Sequence, residues 1–236
     1  MAQSPSTPTV RNRLLAGLPP ENLAQLLPRL RAVSLPVRTG LMGAHERIEA
    51  VYFIESGWAS VVAQLNDGTQ AEVGLIGREG LVGLPLIAGV ETAFAETYMQ
   101  AGGTGLQMDA SAFQREVDDN RDLRRRLLRY YEAMQAQTAQ TAACNGRHDL
   151  EQRLARWLLM AHDRTEGDEL LITQDFLSLM LCVYRPSVTV VAGMLQKAGI
   201  IRYSKGNITI LDRDALEASA CDCYKTVQDR FNDLLG

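Results

Sequence analysis

Glycines punctuate residues 33–108, where they separate short runs rich in β-formers such as AVYFIESG, WASVVAQL, AEVGLIG and TGLQM, and from Ala110 they vanish until Gly146. Strands need turn residues between them, so the first stretch reads as a compact β unit, a barrel or roll, with Asn66-Asp67-Gly68 as a strong hairpin signal. In the second stretch nothing between Ser111 and Cys144 breaks a helix, and Arg, Glu, Gln, Ala and Leu dominate, so one long helix is expected there. The fold class that follows is α+β.

Ahead of the β unit a polar leader is expected to fray. Leu14, Leu15, Leu18, Leu23, Leu26, Leu27 and Leu30 then fall at mixed three- and four-residue spacings, which predicts short amphipathic helices around Pro19-Pro20. In the long helix Val117, Leu123, Leu127, Leu128, Tyr131, Met134, Ala136 and Thr138 give a partial apolar stripe. Such a stripe on a protruding helix needs a partner, and self-pairing into a parallel homodimer is the reading adopted, with packing on the chain's own β unit as the alternative. Asn145-Gly146 should interrupt the helix and act as a hinge. Beyond it Leu150, Leu154, Trp157, Leu158 and Ala161 mark the core helix of a second unit, which continues through two helices and a β-rich pair to a C-terminal helix beside Asp214. The expected division is 1–110 for the N-terminal helices and β unit, 111–145 for the long helix and hinge, and 146–236 for the second unit.

Composition narrows the partners. The 236 residues carry a formal net charge of -4, so any contact with nucleic acid must be local, because indiscriminate binding depends on neutralising phosphates. No apolar run approaches the roughly 18 to 20 residues of a bilayer span, and the start lacks a signal-peptide core; a cytoplasmic location and no membrane partner are expected. Cys144, Cys182, Cys221 and Cys223 are read as free thiols. A metal or cluster site from Cys144, His148, Cys221 and Cys223 fits neither a zinc knuckle nor the usual iron-sulfur spacing, so no metal ligand and no cofactor is assigned. With only His45, His148 and His162, no nucleophile elbow and no paired carboxylates in a glycine-framed cleft, an enzyme is not expected.

The stretch that carries function runs over residues 173–212. Thr173 suits a helix N-cap and Asp175 the first turn, and Phe176, Leu177, Met180 and Leu181 bury one face. A turn at Cys182-Val183-Tyr184 follows, Pro186 fits the first turn of a second helix, and Val188, Val191, Ala192 and Leu195 mark its buried side. This is the helix-turn-helix plan. Residues 200–211, IIRYSKGNITIL, read as two strands closed at Lys205-Gly206-Asn207, a wing. No Asp or Glu occurs between Asp175 and Asp212, whereas Arg185, Lys197, Arg202 and Lys205 do. The candidate contacts to double-stranded DNA are Thr173, Gln174, Arg185, Ser187, Thr189, Lys197, Arg202, Ser204 and Lys205, with Gln196 also offering a donor.

On these residues the chain resembles the Crp/Fnr superfamily, relatives of the catabolite activator protein. The apolar first helix of residues 176–181, Arg185 opening the second, Val188 three later and the Leu-x-x-x-Gly-Ile-Ile exit of residues 195–201 match that pattern. The resemblance implies a cyclic-nucleotide-binding-like β-roll at about 35–110, with Gly57, Gly68 and Gly83 at turns, a dimer helix, and a winged helix-turn-helix whose Arg185 reads a guanine, with RNA polymerase as a possible partner. It also exposes departures. Cys182 replaces a turn glycine, Pro186 an acidic or polar residue, and Val190 a second basic reader, so the operator is this chain's own. Where relatives bind cyclic nucleotides through Gly-Glu and Arg-Ser or Arg-Thr, this chain has Gly83-Leu84-Pro85 and Glu91-Thr92-Ala93; a cyclic nucleotide is not expected, and the effector is unassigned. The alternative function is a protein-binding or structural module that keeps this fold without reading DNA.

Overall fold

The computed structural model describes residues 10–66 and 68–236. The polar leader and Asp67 of the hairpin signal lie outside them. Two short helices open the chain, α1 (Arg13–Ala16) and α2 (Pro20–Leu26). The Asn12 side chain caps α1 by accepting from the amides of Leu14 and Leu15, and its own amide donates to the carbonyls of Ile54 and Gly80. Asn12 is fully buried, so this cap also anchors the N-terminal segment to the β unit.

That unit holds β1 (Arg31–Leu35), β2 (Gly40–Met42), β3 (Ala50–Gln64), β4 (Gln70–Ile76), β5 (Leu81–Val82) and β6 (Glu96–Asp109), joined in one antiparallel sheet of order β1-β6-β3-β4. β2 also pairs with β6, and β5 with β3. The expected hairpin across residue 67 forms, with Gln64 opposite Gln70. Strands β3 and β6 pair from Ala50 opposite Asp109 to Val62 opposite Glu96, and the register shifts three times between Ile54 and Ala59. Such irregularities bend a long strand pair into a roll. Glycine makes the bend feasible: Gly57 has φ +72°, and a Cβ on Gly103 would lie 1.9 Å from the Ser56 carbonyl oxygen.

The expected single long helix is two. α3 (Ala110–Asp119) ends at Asn120, whose extended backbone and side chain, accepting from the Leu123 amide at 3.0 Å, start α4 (Arg121–Arg147). Asn is a strong N-cap, and here that preference outweighs the helix-forming composition around it. The hinge also moves. Asn145 and Gly146 stay inside the last turn of α4, where the His148 amide still reaches the Cys144 carbonyl at 3.0 Å. The break falls at His148-Asp149, and Asp149 caps α5 (Leu150–His162) by accepting from the Gln152 amide.

After α5 come β7 (Glu169–Leu170), α6 (Gln174–Met180), α7 (Arg185–Lys197), β8 (Ile201–Ser204) and β9 (Asn207–Ile210). Instead of one C-terminal helix there are α8 (Arg213–Ser219) and α9 (Cys223–Leu235). Helix α9 folds back along α4 and puts Val227, Phe231 and Leu235 into the core that the roll shares with Leu123, Leu127, Tyr130 and Met134 of α4. The apolar stripe of α4 therefore divides. Leu123, Leu127 and Met134 are buried in the chain's own core, while Leu128 and Tyr131 remain exposed. A second core joins α5, α6, α7, β8, β9 and α8, and it takes in Trp58, Val62 and Leu75 from the roll. Trp58 and Trp157 meet edge to face, with ring centroids 5.8 Å apart.

Candidate nucleic-acid interface

Residues 173–212 fold as a helix-turn-helix with a wing. The Thr173 hydroxyl accepts from the Phe176 amide at 3.2 Å, so α6 begins where a side-chain oxygen can satisfy a free backbone donor. Leu177, Met180 and Leu181 are buried, and the chain then reverses at Cys182, which has φ +52°. A residue with a Cβ tolerates that conformation at some cost, which explains why glycine is the expected occupant. Helix α7 starts with Arg185 and Pro186 in its first turn, where the missing amide proton of proline leaves no broken bond. Buried Val188, Ala192 and Leu195 seat α7 on the core, and its axis turns 108° from that of α6, inside the roughly 90–120° typical of this motif.

The wing is sharper than the sequence suggested. β8 and β9 pair antiparallel from Ile201 opposite Ile210 to Ser204 opposite Asn207, leaving a two-residue turn of Lys205 and Gly206, both with positive φ. That is the pattern of the hairpin turn whose twist matches its strands. β7 adds to the far side of β9 and completes a three-stranded sheet; two residues are too short to show a period, and nothing in the sequence pattern marks it. Tyr203 locks the wing to both helices. Its amide donates to Gln196 Oε1 at 2.8 Å, and its hydroxyl accepts from the Gln174 amide at 3.2 Å.

Thr173, Arg185, Ser187, Thr189, Lys197, Arg202, Ser204 and Lys205 are exposed, and Gln174 is half-buried. The structure draws Gln174, Arg185 and Thr189 together. Arg185 Nη1 lies 3.2 Å from Asp175 Oδ1, and the Thr189 hydroxyl donates to Gln174 Oε1 at 2.7 Å, so the start of α7 is cross-linked to the start of α6. Thr173 also touches the wing turn, since a Cβ on Gly206 would sit 3.3 Å from its Cγ2. Lys197 stands apart at the far end of α7, about 18 Å along the helix axis from Arg185.

At 100° per residue Arg185 and Thr189 share one flank of the exposed face, Ser187 falls on the other, and Pro186, Val190 and Gly193 run between them. Val190 and Met194 are respectively 63% and 49% exposed, and Tyr184, just before α7, is 86% exposed. Reasoning from donors alone passes over this apolar strip. Among the described residues no single helix is long and apolar enough to cross a membrane, and the one bent pair that meets such a test by length and composition is α6 with α7.

Two features lie away from this face. A cavity of about 180 Å³ between the roll and α4 is lined by Met42, Ile76, Leu84, Phe94, Thr97 and Tyr131 among others, and no lining residue carries a positive charge. Cys144, Cys221 and Cys223 form a small buried cluster of their own. Sequence spacing argues against grouping these residues with His148, because they come from segments more than seventy positions apart that only the fold brings together.

Comparison with known proteins agrees with this architecture. Residues 152–219 match the Crp-like helix-turn-helix domain family. Among solved structures, FixK2 from Bradyrhizobium japonicum superposes with a TM-score of 0.69 at 15% identity, covering 81% of this chain and 98% of that one. TTHB099, a CRP-family transcriptional regulator from Thermus thermophilus, gives a TM-score of 0.64 at 21% identity, over 80% of this chain and 96% of that one. The c-di-GMP-responsive global regulator CLP of Xanthomonas campestris gives 0.62 at 16%, over 80% and 98%. A search of curated protein sequences finds no match.

Proposed function

We propose that this chain, which carries a Crp-like helix-turn-helix domain within the fold of the Crp/Fnr transcription regulators, acts as a homodimer that binds a near-palindromic DNA site. The observation that supports this most is the α6-α7 pair at 108°, with exposed Arg185, Ser187 and Thr189 on α7 and Lys205 at the wing tip, in a segment free of acidic residues from 176 to 211. Arg185 reads a base, with Ser187 and Thr189 assisting. Lys197, Arg202 and Lys205 engage phosphates, and Thr173, Gln174 and Ser204 flank them. Leaving Asp175 for a guanine costs Arg185 little, because an exposed ion pair is worth about 0–1 kcal/mol.

The dimer reading places α4 at the centre. Leu128, Tyr131, Gln135, Thr138 and Ala142 follow the three- and four-residue spacing of a coiled-coil seam and are at least partly exposed. Paired there, two copies would set their α7 helices in successive major grooves, roughly 34 to 36 Å apart. In this reading residues 1–110 are a sensing unit, 111–145 the dimer element and 146–236 the DNA-binding unit, at work in the cytoplasm and in contact with RNA polymerase. The uncharged lining of the cavity beside α4 offers nothing to a cyclic phosphate, which favours a different, more apolar effector.

Selection of bound fragments from genomic DNA by the full-length protein tests the reading. Enrichment of a palindromic motif is expected, and Arg185→Ala should cost about 1–3 kcal/mol on that motif while relaxing preference at one base pair. Recovery of random DNA at moderate salt would instead favour a protein-interaction module on the same fold.

A further inference from the structure

The last turn of α4 and the start of α9 bring together four soft donors. Cys144 sits on α4, and His148 follows it by four residues at the end of the same helix, so both side chains project from one side. Cys221 lies in the short link between α8 and α9, and Cys223 opens α9. One ligand atom from each of the four lies within 4.8 Å of all the others. The Sγ atoms of Cys144 and Cys221 are 3.5 Å apart, and Cys223 Sγ is 3.4 Å from His148 Nδ1. A tetrahedral ion with metal-ligand distances of about 2.0–2.3 Å has edges of roughly 3.3–3.8 Å, so these two edges are already of that length.

The donors are enclosed by the fold. The three cysteines are 0%, 6% and 1% exposed in chain order, and the Gln140 side-chain amide donates to Cys223 Sγ at 3.0 Å. Buried Arg156 hangs from Thr141, one turn before Cys144 on α4, through a 2.9 Å hydrogen bond. Its Nε has no hydrogen-bond partner, and it forms no ion pair among the described residues. His148 presents Nδ1 to the sulfurs, while its Nε2 lies 3.8 Å from an exposed Asp222 carboxylate oxygen.

We propose that Cys144, His148, Cys221 and Cys223 form a closed, mononuclear zinc site that ties the end of α4 to the start of α9. Three cysteines and one histidine are an established structural zinc set, and four protein ligands leave no open position for catalysis. A bridged iron-sulfur cluster spreads its terminal ligands over different irons, which four donors this close together do not suit. On binding, Zn2+ displaces the three thiol protons to solvent and accepts a lone pair from each sulfur and from Nδ1. The resulting centre has a net charge of -1, which buried Arg156 neutralises. The site stands beside the His148-Asp149 break, so the ion would fix the joint between α4 and the helix-turn-helix unit.

The test uses the full-length, untagged protein purified without added metal. Elemental analysis should give about one zinc per chain, and the reduced apoprotein titrated with Co2+ should develop the intense visible bands of a tetrahedral thiolate complex, saturating at one equivalent. A Cys144→Ser, Cys221→Ser double variant should lose those bands. His148→Cys should keep the site as four thiolates and shift the bands, which covers the case in which the serine variant folds poorly. Absence of zinc together with a Co2+ spectrum of hexa-aquo type overturns the proposal. So does iron with acid-labile sulfide, or a Cys144–Cys221 disulfide whose reduced form binds neither ion.

Discussion

Replacing Glu72 by Gln should stabilise the folded chain by roughly 2–3 kcal/mol more at pH 8 than at pH 5. Glu72 lies on β4, only 5% exposed, where its carboxylate accepts from the Ser60 hydroxyl at 2.7 Å and from the Trp157 indole nitrogen of α5. Burial is the largest influence on it and raises its pKa from 4.5 to about 7, against the opposing pull of those two donors and of Arg156 and Arg164. A carboxyl whose folded pKa exceeds its unfolded value binds a proton more tightly when folded. Its folded state is therefore favoured below pH 4.5, loses ground as pH rises toward 7, and is level above that.

The difference between about 4.5 and about 7, at about 1.4 kcal/mol for each tenfold, amounts to roughly 3 kcal/mol, most of which falls between pH 5 and 8. Gln keeps the shape, can accept from Trp157 through its oxygen and donate to Ser60 through its nitrogen, and does not titrate. Urea unfolding of both proteins at the two pH values, followed by tryptophan fluorescence, gives the comparison. Both tryptophans, Trp58 and Trp157, lie in the interface concerned. Parallel pH profiles, within about 0.5 kcal/mol, would show that Glu72 ionises in the folded state as readily as in water, and the burial argument would fail.

Other sites give independent tests. Lys205→Ala at the wing tip should weaken binding by a similar factor on every DNA sequence and reduce the slope of log affinity against log salt by about 1, measured by fluorescence anisotropy. Leu128→Glu with Tyr131→Glu puts charge on the exposed seam of α4 while leaving buried Leu127 and Tyr130 in place, so a shift to monomer in analytical ultracentrifugation is expected, with the circular dichroism spectrum retained. Asn120→Ala removes the acceptor for the Leu123 amide and should cost about 1 kcal/mol in denaturant unfolding.

What could be read in the sequence was what depends on neighbours along the chain. The β-roll, the helix-turn-helix and the wing follow from glycine spacing, periodicity and turn chemistry over windows of ten to twenty residues. Asn120 is equally visible as a cap, but a capping preference worth about 1 kcal/mol does not by itself announce an interruption in a helix-rich stretch. Asn145-Gly146 shows the reverse. Two poor helix formers are carried inside a helix because Cys144, just before them, is buried against Cys221 and Cys223. The packing of α9 on α4 was not legible, since the periodicity of a helix names its buried face and not the surface that covers it.

Helix α5 carries neighbouring residues into two different interfaces, and this bears on how α7 is positioned. Trp157 meets Glu72 and Trp58 of the roll, whereas Arg156 turns toward Thr141 and the cysteines at the end of α4. Further along, Arg164 forms an ion pair with Glu79 in which both side chains are only 10% exposed, and its guanidinium also donates to the Met160 carbonyl. Breaking one partner of such a buried pair costs far more than breaking the exposed Arg185–Asp175 pair, because the remaining charge is left without water. Helix α5 in turn packs against α7 and α8, and α6 rests directly on β4. The orientation of Arg185 relative to the roll is therefore set by buried polar contacts that resist gradual sliding. Under the proposed function, a signal from the roll that reorients α7 would have to exchange these contacts for another complete set, which is the condition for two discrete states and not for a continuum.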